Sequence, residues 1–511
     1  MFFKNLKVHF IGIGGIGVSG LARFLKAQGA IVSGSDIAET SITKGLRSEG
    51  ITINIPHDSG AINGKDLIIH SAIIKDSNIE IMESKRQNKK IFSRKDALLE
   101  LLKERQVLSI CAAHGKSSTS AILSAILPKA GAIIGAISKE FNSNVRVSKD
   151  KLLIFEADES DKSFLNSNPY KSIVLNAEAE HLESYGGDFN ALKNAYLEFI
   201  KLAKVAVLNV GCPVVLELYK RLIKEMPYLD SKVSLDSNVA LDSVESSENN
   251  NVIESRLTKI DTFNPKNDIK NIHYTLQDSK PYTAFSFRDF GEFKIFGIGE
   301  HNAQNAGIAI LSALEFQNIE SIRKNILNFK GIKKRFDILC DLDSKSPCII
   351  DDYAHHPTEI RATLSAAKIY ADLLFKEKVR EFESLDSTES TFKKHLNKSQ
   401  DSIKITAIFQ PHKYSRLRDN LDAFCACFVG CDELVILPVW AAGEEKIDFD
   451  FAKLFKAYNP IFAVRVKRVD SKKGASLHLL DSNDKLIKIL DFGIILGLGA
   501  GDITYQLRGE K

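Results

Sequence analysis

The sequence predicts an α/β protein of three domains, on three observations. Its 511 residues, at roughly 150 per domain, favour three or four. Strand-like apolar runs alternate with helix-like segments along most of the chain, the pattern of parallel α/β units. Two glycine-containing turns, at Gly12–Gly17 and near Gly115, each follow a strand-like run and precede a helix-like one.

Hydrophobic residues at 44% and charged residues at 26% are ordinary for a globular chain, which argues against a disordered or fibrous one. Lys plus Arg is 69 and Asp plus Glu is 65, and a net charge of +4 is too weak to suggest nucleic acid as a partner. No apolar stretch reaches the ~18 residues of a membrane span, so no stable membrane insertion is expected. Lys4 and Lys7 precede the apolar run Val8–Val18, as in a secretory leader, but Gly12, Gly14, Gly15 and Gly17 interrupt it at turn-like spacing. A strand, a glycine turn and a helix explain the run better, and a cytoplasmic protein is expected. The seven cysteines are odd in number and thinly spread, as reduced thiols are.

The first α/β set runs from Lys7 to about Glu104, with strands at Ala30–Gly34 and Asp66–His70 and an amphipathic helical segment Leu21–Gln28. The second opens at Val107–Cys111, followed by a helix Thr119–Leu127, strands Leu152–Phe155 and Ser172–Asn176, and a helix Asn302–Phe316. The third begins near Arg335, with strands at Cys348–Ile350, Ile403–Phe409, Glu433–Leu437 and Gly493–Leu496. Ser231–Asp268 and Lys376–Ser402 are polar or charged, with too little apolar surface to offset chain ordering, and are expected to be surface insertions.

Chemistry concentrates just after strands. In Gly12-Ile-Gly-Gly-Ile-Gly17, Gly12 permits a tight turn, Gly14 lets backbone approach a phosphate, and Gly17 allows close helix–strand packing. The helix start then offers N–H groups to a diphosphate. Asp36 ends the next strand, where a ribose hydroxyl would be met. The motif leaves open whether the nucleotide is NAD or another diphosphate. Ala112-Ala-His-Gly-Lys-Ser-Ser118 has the end of a phosphate loop, with Lys116 for β- and γ-phosphates and Ser117 for Mg²⁺, but lacks the leading glycine of the Walker pattern. Glu156-Ala-Asp-Glu-Ser-Asp161 repels itself unless a cation intervenes, and Mg²⁺ prefers such oxygens beside phosphates. Asn176-Ala-Glu-Ala-Glu-His181 follows another strand and can bring His181 beside Glu156.

In the third set, Asp351-Asp-Tyr-Ala-His-His-Pro-Thr-Glu359 and Phe409-Gln-Pro-His-Lys-Tyr-Ser-Arg-Leu-Arg-Asp419 carry paired histidines and arginine forks suited to carboxylates and phosphates. Cys425-Ala-Cys-Phe-Val-Gly-Cys431 lacks a zinc spacing, so buried thiols are expected there.

Together these blocks resemble the Mur ligases. The matching segments are His9–Gly17, Ser33-Gly-Ser-Asp36, His114-Gly-Lys116, Glu156–Asp161, His301-Asn-Ala-Gln-Asn-Ala306 and Lys334-Arg-Phe336. They continue with Asp351–Glu359, Phe409–Asp419, Ala441-Ala-Gly-Glu444 and Gly499-Ala-Gly-Asp502, in family order across nearly the whole chain. The resemblance implies a Rossmann-like UDP-sugar domain over residues 1–104, a central P-loop ATPase domain over 105–333 and a C-terminal Rossmann-like, amino-acid-binding domain over 334–511. It implies ATP-dependent joining of L-alanine to the carboxylate of UDP-N-acetylmuramate, with ATP and Mg²⁺ required.

Carried over by motif, Gly12, Gly14, Gly15, Ile16, Gly17, Asp36 and Ser71 contact the UDP-sugar. Ala113, His114, Gly115, Lys116, Ser117 and Ser118 hold ATP phosphates, with Asn302 and Asn305 at adenine and Arg335 and Asp352 also at the nucleotide. Ser117, Glu156 and His181 hold metal. Tyr353, His355, His356, Arg416 and Arg418 form the pocket where sugar carboxylate meets amino acid. Lys116, Glu156, His181 and Arg416 are the catalytic set. Ala112 and Ala113 stand where the family has Gly-Thr, Ser117 for a threonine, Glu180 for an aspartate and Lys413 for an arginine. A nicotinamide dehydrogenase would explain the first loop but not the second. A non-catalytic UDP-sugar binder would need the second to be disabled.

Overall fold

The computed structural model describes residues 2–103, 105–160, 162–180, 182–227, 229–231, 255–343, 346–384, 402–471 and 474–510. They form two compact units, one of Met1–Lys270, Ser286–Phe293 and Gln304–Lys330, the other of Asn271–Phe285, Lys294–Ala303 and Gly331–Lys511. Each is built on parallel sheets, as expected for an α/β chain.

The first unit contains two of them. A five-stranded, all-parallel sheet runs in the order Thr52–Asn54, Ile31–Ser35, Lys7–Ile11, Leu67–His70, Lys90–Ser93. The chain reverses its direction of travel across the sheet at Lys7–Ile11, so a crevice opens at the C-terminal ends of that strand and Leu67–His70. Helix Ile16–Ala27 buries Val18, Leu21, Ala22 and Leu25, an i, i+3, i+4, i+7 stripe. It starts five residues before the amphipathic segment read from sequence, because its first turn uses glycines that carry no periodicity.

The second sheet has eight strands: Asp230–Ser231, Lys259–Phe263, Val205–Asn209, Pro169–Val174, Gln106–Cys111, Leu152–Glu156, Gly131–Ser138 and Ser143–Arg146. All pairs are parallel except the last. One strand expected at Ser172–Asn176 instead spans Pro169–Val174. Proline is tolerated at a strand's first position. Lys171, which reads as a solvent residue, is buried with its ammonium donating to Ser312 O at 3.0 Å and pairing with Glu315 at 3.0 Å. The expected insertion Ser231–Asp268 is also corrected at its end. Lys259–Phe263 pairs with Val205–Asn209 because Ile260 and Phe263 supply the buried side chains. Residues 232–254 lie outside the described residues.

In the second unit a six-stranded sheet runs Asp337–Cys340, Cys348–Asp352, Ile494–Leu498, Ile405–Phe409, Glu433–Ile436, Ile461–Phe462, parallel except for its first pair. Its strands are apolar on both faces. Cys348, Ile350, Ala407 and Phe409 pack into one core, while Ile349, Ile408 and Val435 pack into another with Val466, Leu477 and Leu479 of an antiparallel three-stranded sheet. Helix Pro357–Ser384 buries Ala366, Ala367, Tyr370, Ala371 and Leu374 and continues into the stretch read as the second insertion, where Glu377 accepts Ser279 Oγ–H at 2.6 Å. Residues 385–401 lie outside the described residues.

All seven cysteines are free. Cys427 is buried and its thiol is pushed up to about 12 by that burial, while Cys425 and Cys431 are half-buried. Among the described residues, no helix is long and apolar enough to cross a membrane.

Candidate active site

The glycine loop leaves the buried strand Lys7–Ile11 with Gly12 at φ +77°. A Cβ there would stand 3.1 Å from Ser71 Cβ, which places Ser71 against the loop. Asp36 Oδ2 accepts the Gly14 N–H at 2.7 Å, and Oδ1 accepts that of Ile37 at 2.8 Å. The carboxylate expected at a ribose therefore braces the loop itself. Space over Gly17 is taken by the guanidinium of Arg94, which a Cβ would strike, rather than by a packed strand as the sequence suggested. Arg94 adds a cation to a crevice suited to a diphosphate, and nothing in its sequence context marks it.

The phosphate loop follows Gln106–Cys111, with Gly115 at φ +86° as the N-cap of helix Lys116–Ile126. Only glycine adopts that conformation without strain. A Cβ on Gly115 would also meet Asn305 Oδ1 at 2.9 Å, so Asn305 lies against the loop. Asn302, one helical turn earlier, donates to Ile298 O at 3.0 Å. Asn176 grips the loop at both main-chain polar groups of one residue, accepting from His114 N–H at 2.9 Å and donating to His114 O at 3.0 Å. Ala112 is fully buried, and Ala113 is half-buried.

Parallel register sets Ile110 opposite Glu156, which puts that carboxylate beside the loop. Glu156 accepts Ser117 Oγ–H at 2.9 Å and Gly135 N–H at 2.6 Å. Burial, opposed by these hydrogen bonds and by Lys116, raises its carboxyl above the usual range. Ser117 and Glu156 are therefore adjacent hard-oxygen donors at a phosphate loop, a set that fits Mg²⁺. His181 and Asp161 lie outside the described residues.

The acidic cluster's central member has another partner. Glu159 receives the Lys116 ammonium on both oxygens, at 2.7 and 2.9 Å, and Lys116 also donates to Ala112 O. Burial lowers the lysine's affinity for its proton, but Glu159 more than offsets this and raises it. Burial likewise raises the Glu159 carboxyl, against the pull of Lys116. Repulsion within the cluster is thus relieved partly by a lysine, which the sequence reading assigned to phosphates alone. His114 Nε2 stands 3.6 Å from Glu178 and 3.4 Å from Glu180, an exposed trio and, among the described residues, the one cluster of three or more His, Cys, Asp or Glu side chains close enough to share a metal ion.

In the second unit, Asp352 is buried at the end of its strand and accepts Phe336 N–H at 2.8 Å and Ala354 N–H at 2.9 Å. Burial pushes its carboxyl up to about 6 despite Arg335. Glu359 accepts the N–H groups of His355 and His356 at 3.0 and 3.2 Å and lies 3.6 Å from Arg335, whose guanidinium faces the Tyr353 ring. The His355 ring packs edge-on against Tyr353 at 5.3 Å and His412 at 5.8 Å, and Arg416 reaches His412 Nδ1 at 2.9 Å. Burial depresses His355; burial together with Arg416, His355 and Lys413 pushes His412 down to about 4. Arg335, Tyr353, His355 and Arg416 therefore come together. Arg418 instead pairs with its exposed neighbour Asp419, and His356 bonds Thr358. His412 is a member the sequence reading passed over, though Gln410-Pro-His412 after a strand was the signal.

Residues 7–106 match the model of the Mur ligase family, catalytic domain. Over 514 aligned residues the chain is 50% identical to UDP-N-acetylmuramate–L-alanine ligase of Helicobacter pylori, covering 100% of this chain and 98% of that relative. It is 44% identical to the protein of the same name from Campylobacter jejuni, covering 99% of each. The fold is similar to the crystal structure of UDP-N-acetylmuramate-alanine ligase from Thermotoga maritima, with a TM-score of 0.71 at 23% identity over 99% of this chain and 98% of that one.

Proposed function

Since this chain belongs to the Mur ligase family, we propose that it uses ATP to join L-alanine to the carboxylate of UDP-N-acetylmuramate in the cytoplasm, in peptidoglycan precursor synthesis. The observation that carries the chemistry is the phosphate loop with Ser117 and Glu156 in contact and Lys116 at the helix start. The three-domain division at 104/105 and 333/334 is part of the same proposal.

The muramoyl carboxylate attacks the γ-phosphorus of ATP, the bond to the β,γ-bridging oxygen breaks, and ADP leaves an acyl phosphate. The neutral amine of L-alanine then attacks the acyl carbon, the bond to phosphate breaks, and the amine proton is released with inorganic phosphate. Charge gathers on phosphoryl oxygens in the first step and on the carbonyl oxygen in the second. Lys116 and the arginines meet it by position and fixed charge. Ser117, Glu156 and His181 are the residues that would hold Mg²⁺, which when bound neutralises phosphate oxygens. His355 and His412 are neutral near pH 7 and so do not repel an alanine ammonium. His355 Nδ1–H donates to Tyr353 O, which leaves its Nε2 as an acceptor, while His412 Nδ1 already accepts from Arg416.

The test is ADP formation on mixing the protein with ATP, UDP-N-acetylmuramate and L-alanine. Turnover that needs all three supports the reading. Turnover independent of the sugar nucleotide or the amino acid rejects it, as does reduction of a nicotinamide.

A further inference from the structure

Beneath the glycine loop lies a carboxylate that the reaction does not use. Glu80, on helix Ile79–Arg86, has no solvent exposure, yet its neighbours hold its carboxyl below the usual range against the effect of burial. Oε1 accepts the Asp58 N–H at 2.8 Å, and Oε2 accepts Ser35 Oγ–H at 2.6 Å. His9 Nε2 stands 3.3 Å from Oε2, and a carboxylate can only accept, so that nitrogen carries a proton. The Ser35 hydroxyl spends its proton on Glu80 and therefore accepts from His57 Nδ1–H at 2.8 Å. Donor directions are thus fixed across two strands, the segment His57–Asp58 and one helix.

Ser35 connects this buried hub to the crevice. Its carbonyl accepts the N–H groups of Gly12 at 2.9 Å and Ile13 at 3.0 Å, and the next residue, Asp36, holds Gly14 N–H. Side chain and main chain of Ser35 are therefore pinned from opposite sides, by Glu80 and by the loop. A shift at Ser35 moves both acceptors that shape the turn.

We propose that Glu80 is a positioning residue for the sugar-nucleotide diphosphate, acting through Ser35 on the geometry of the Gly12–Gly17 loop. This rests on the assignment of that loop to the UDP-sugar made above. Glutamine keeps the shape of Glu80 but replaces one acceptor oxygen by a donor, which must then face either Asp58 N–H or the Ser35 and His9 donors.

The experiment compares Glu80→Gln and Ser35→Ala with the unchanged protein by calorimetric binding of UDP-N-acetylmuramate and by kinetics in each substrate. Each variant is expected to weaken sugar-nucleotide binding about tenfold while the KM for ATP and kcat stay within about twofold, and the double variant to cost little more than the worse single one. A purely structural role would lower thermal stability without separating the two substrates. Ser35→Ala leaves the fold's charges intact and supplies the answer if Glu80→Gln does not fold. Unchanged sugar-nucleotide affinity in a folded variant, or equal losses for ATP and sugar nucleotide, would overturn the proposal. Failure of the unchanged protein to bind UDP-N-acetylmuramate would instead overturn the functional reading.

Discussion

The Lys116 ammonium is held by both carboxylate oxygens of Glu159, at 2.7 and 2.9 Å, with the lysine side chain 17% exposed and the glutamate 4%. A nearly buried ion pair is costly to break from one side, because the remaining charge keeps its desolvation cost and loses its partner. Lys116→Ala should therefore destabilise the protein by about 3 kcal/mol as well as reduce ligation by at least on the order of 10²-fold. Adding Glu159→Gln should restore much of the stability and none of the ligation, while UDP-sugar binding stays near normal in both. Denaturant melts and turnover of the two variants check this. Near-normal turnover in folded Lys116→Ala would remove the lysine from the phosphate site.

Ser117 and Glu156 touch at 2.9 Å, and His181 is assigned to the same metal by motif. Residues acting as one unit are non-additive. Glu156→Ala with His181→Ala should cost little more than the worse single substitution, and each single variant should need more Mg²⁺ for half-maximal rate. An unchanged metal requirement in both would take them out of the site.

The pH dependence of stability should carry two opposed contributions. Asp352 rises from 3.8 to about 6 through burial, so it binds a proton on folding, and its contribution is full at low pH and declines as pH rises through that window. His412 falls from 6.5 to about 4, again chiefly through burial, so its contribution is full above the upper value and is lost as pH falls toward the lower one. Asp352→Asn should make stability climb more steeply with pH between about 4 and 6. His412→Gln should flatten or reverse that climb. Urea midpoints across the range decide, and parallel curves for all three proteins would refute both assignments.

For the amino acid, L-alanine should be preferred, with glycine and L-serine slower. A small apolar pocket separates one methyl group by only ~1–3 kcal/mol, so glycine should react at roughly one-tenth to one two-hundredth of the kcat/KM. Large side chains should be excluded beside Tyr353 and His355, and D-alanine should fail on stereochemistry. Comparing kcat/KM for L-alanine, glycine, L-serine, D-alanine and L-glutamate tests this. A preference for an acidic or D-amino acid would assign the chain a different step of the same family.

The sequence by itself determined the α/β class, the placement of most strands, both phosphate-type loops and the family. These are local properties: apolar period, glycine at positive φ, and charged residues just past strand ends. Gly12 has the positive φ that its tight turn called for, and Gly115 has one as well. Tertiary structure alone decided which polar side chains face one another. Register across parallel strands brought Glu156 to Ser117 over a separation of 39 residues. It gave Glu159 to Lys116, seated Arg94 over Gly17, and buried Glu80 against Ser35 45 residues away. It also made Lys171 a buried tether, and carried helix Pro357–Ser384 into the stretch expected to be a surface insertion. A side chain's partner depends on sheet order and packing between distant segments, and a charged residue looks the same in sequence whether it is hydrated or matched inside the fold.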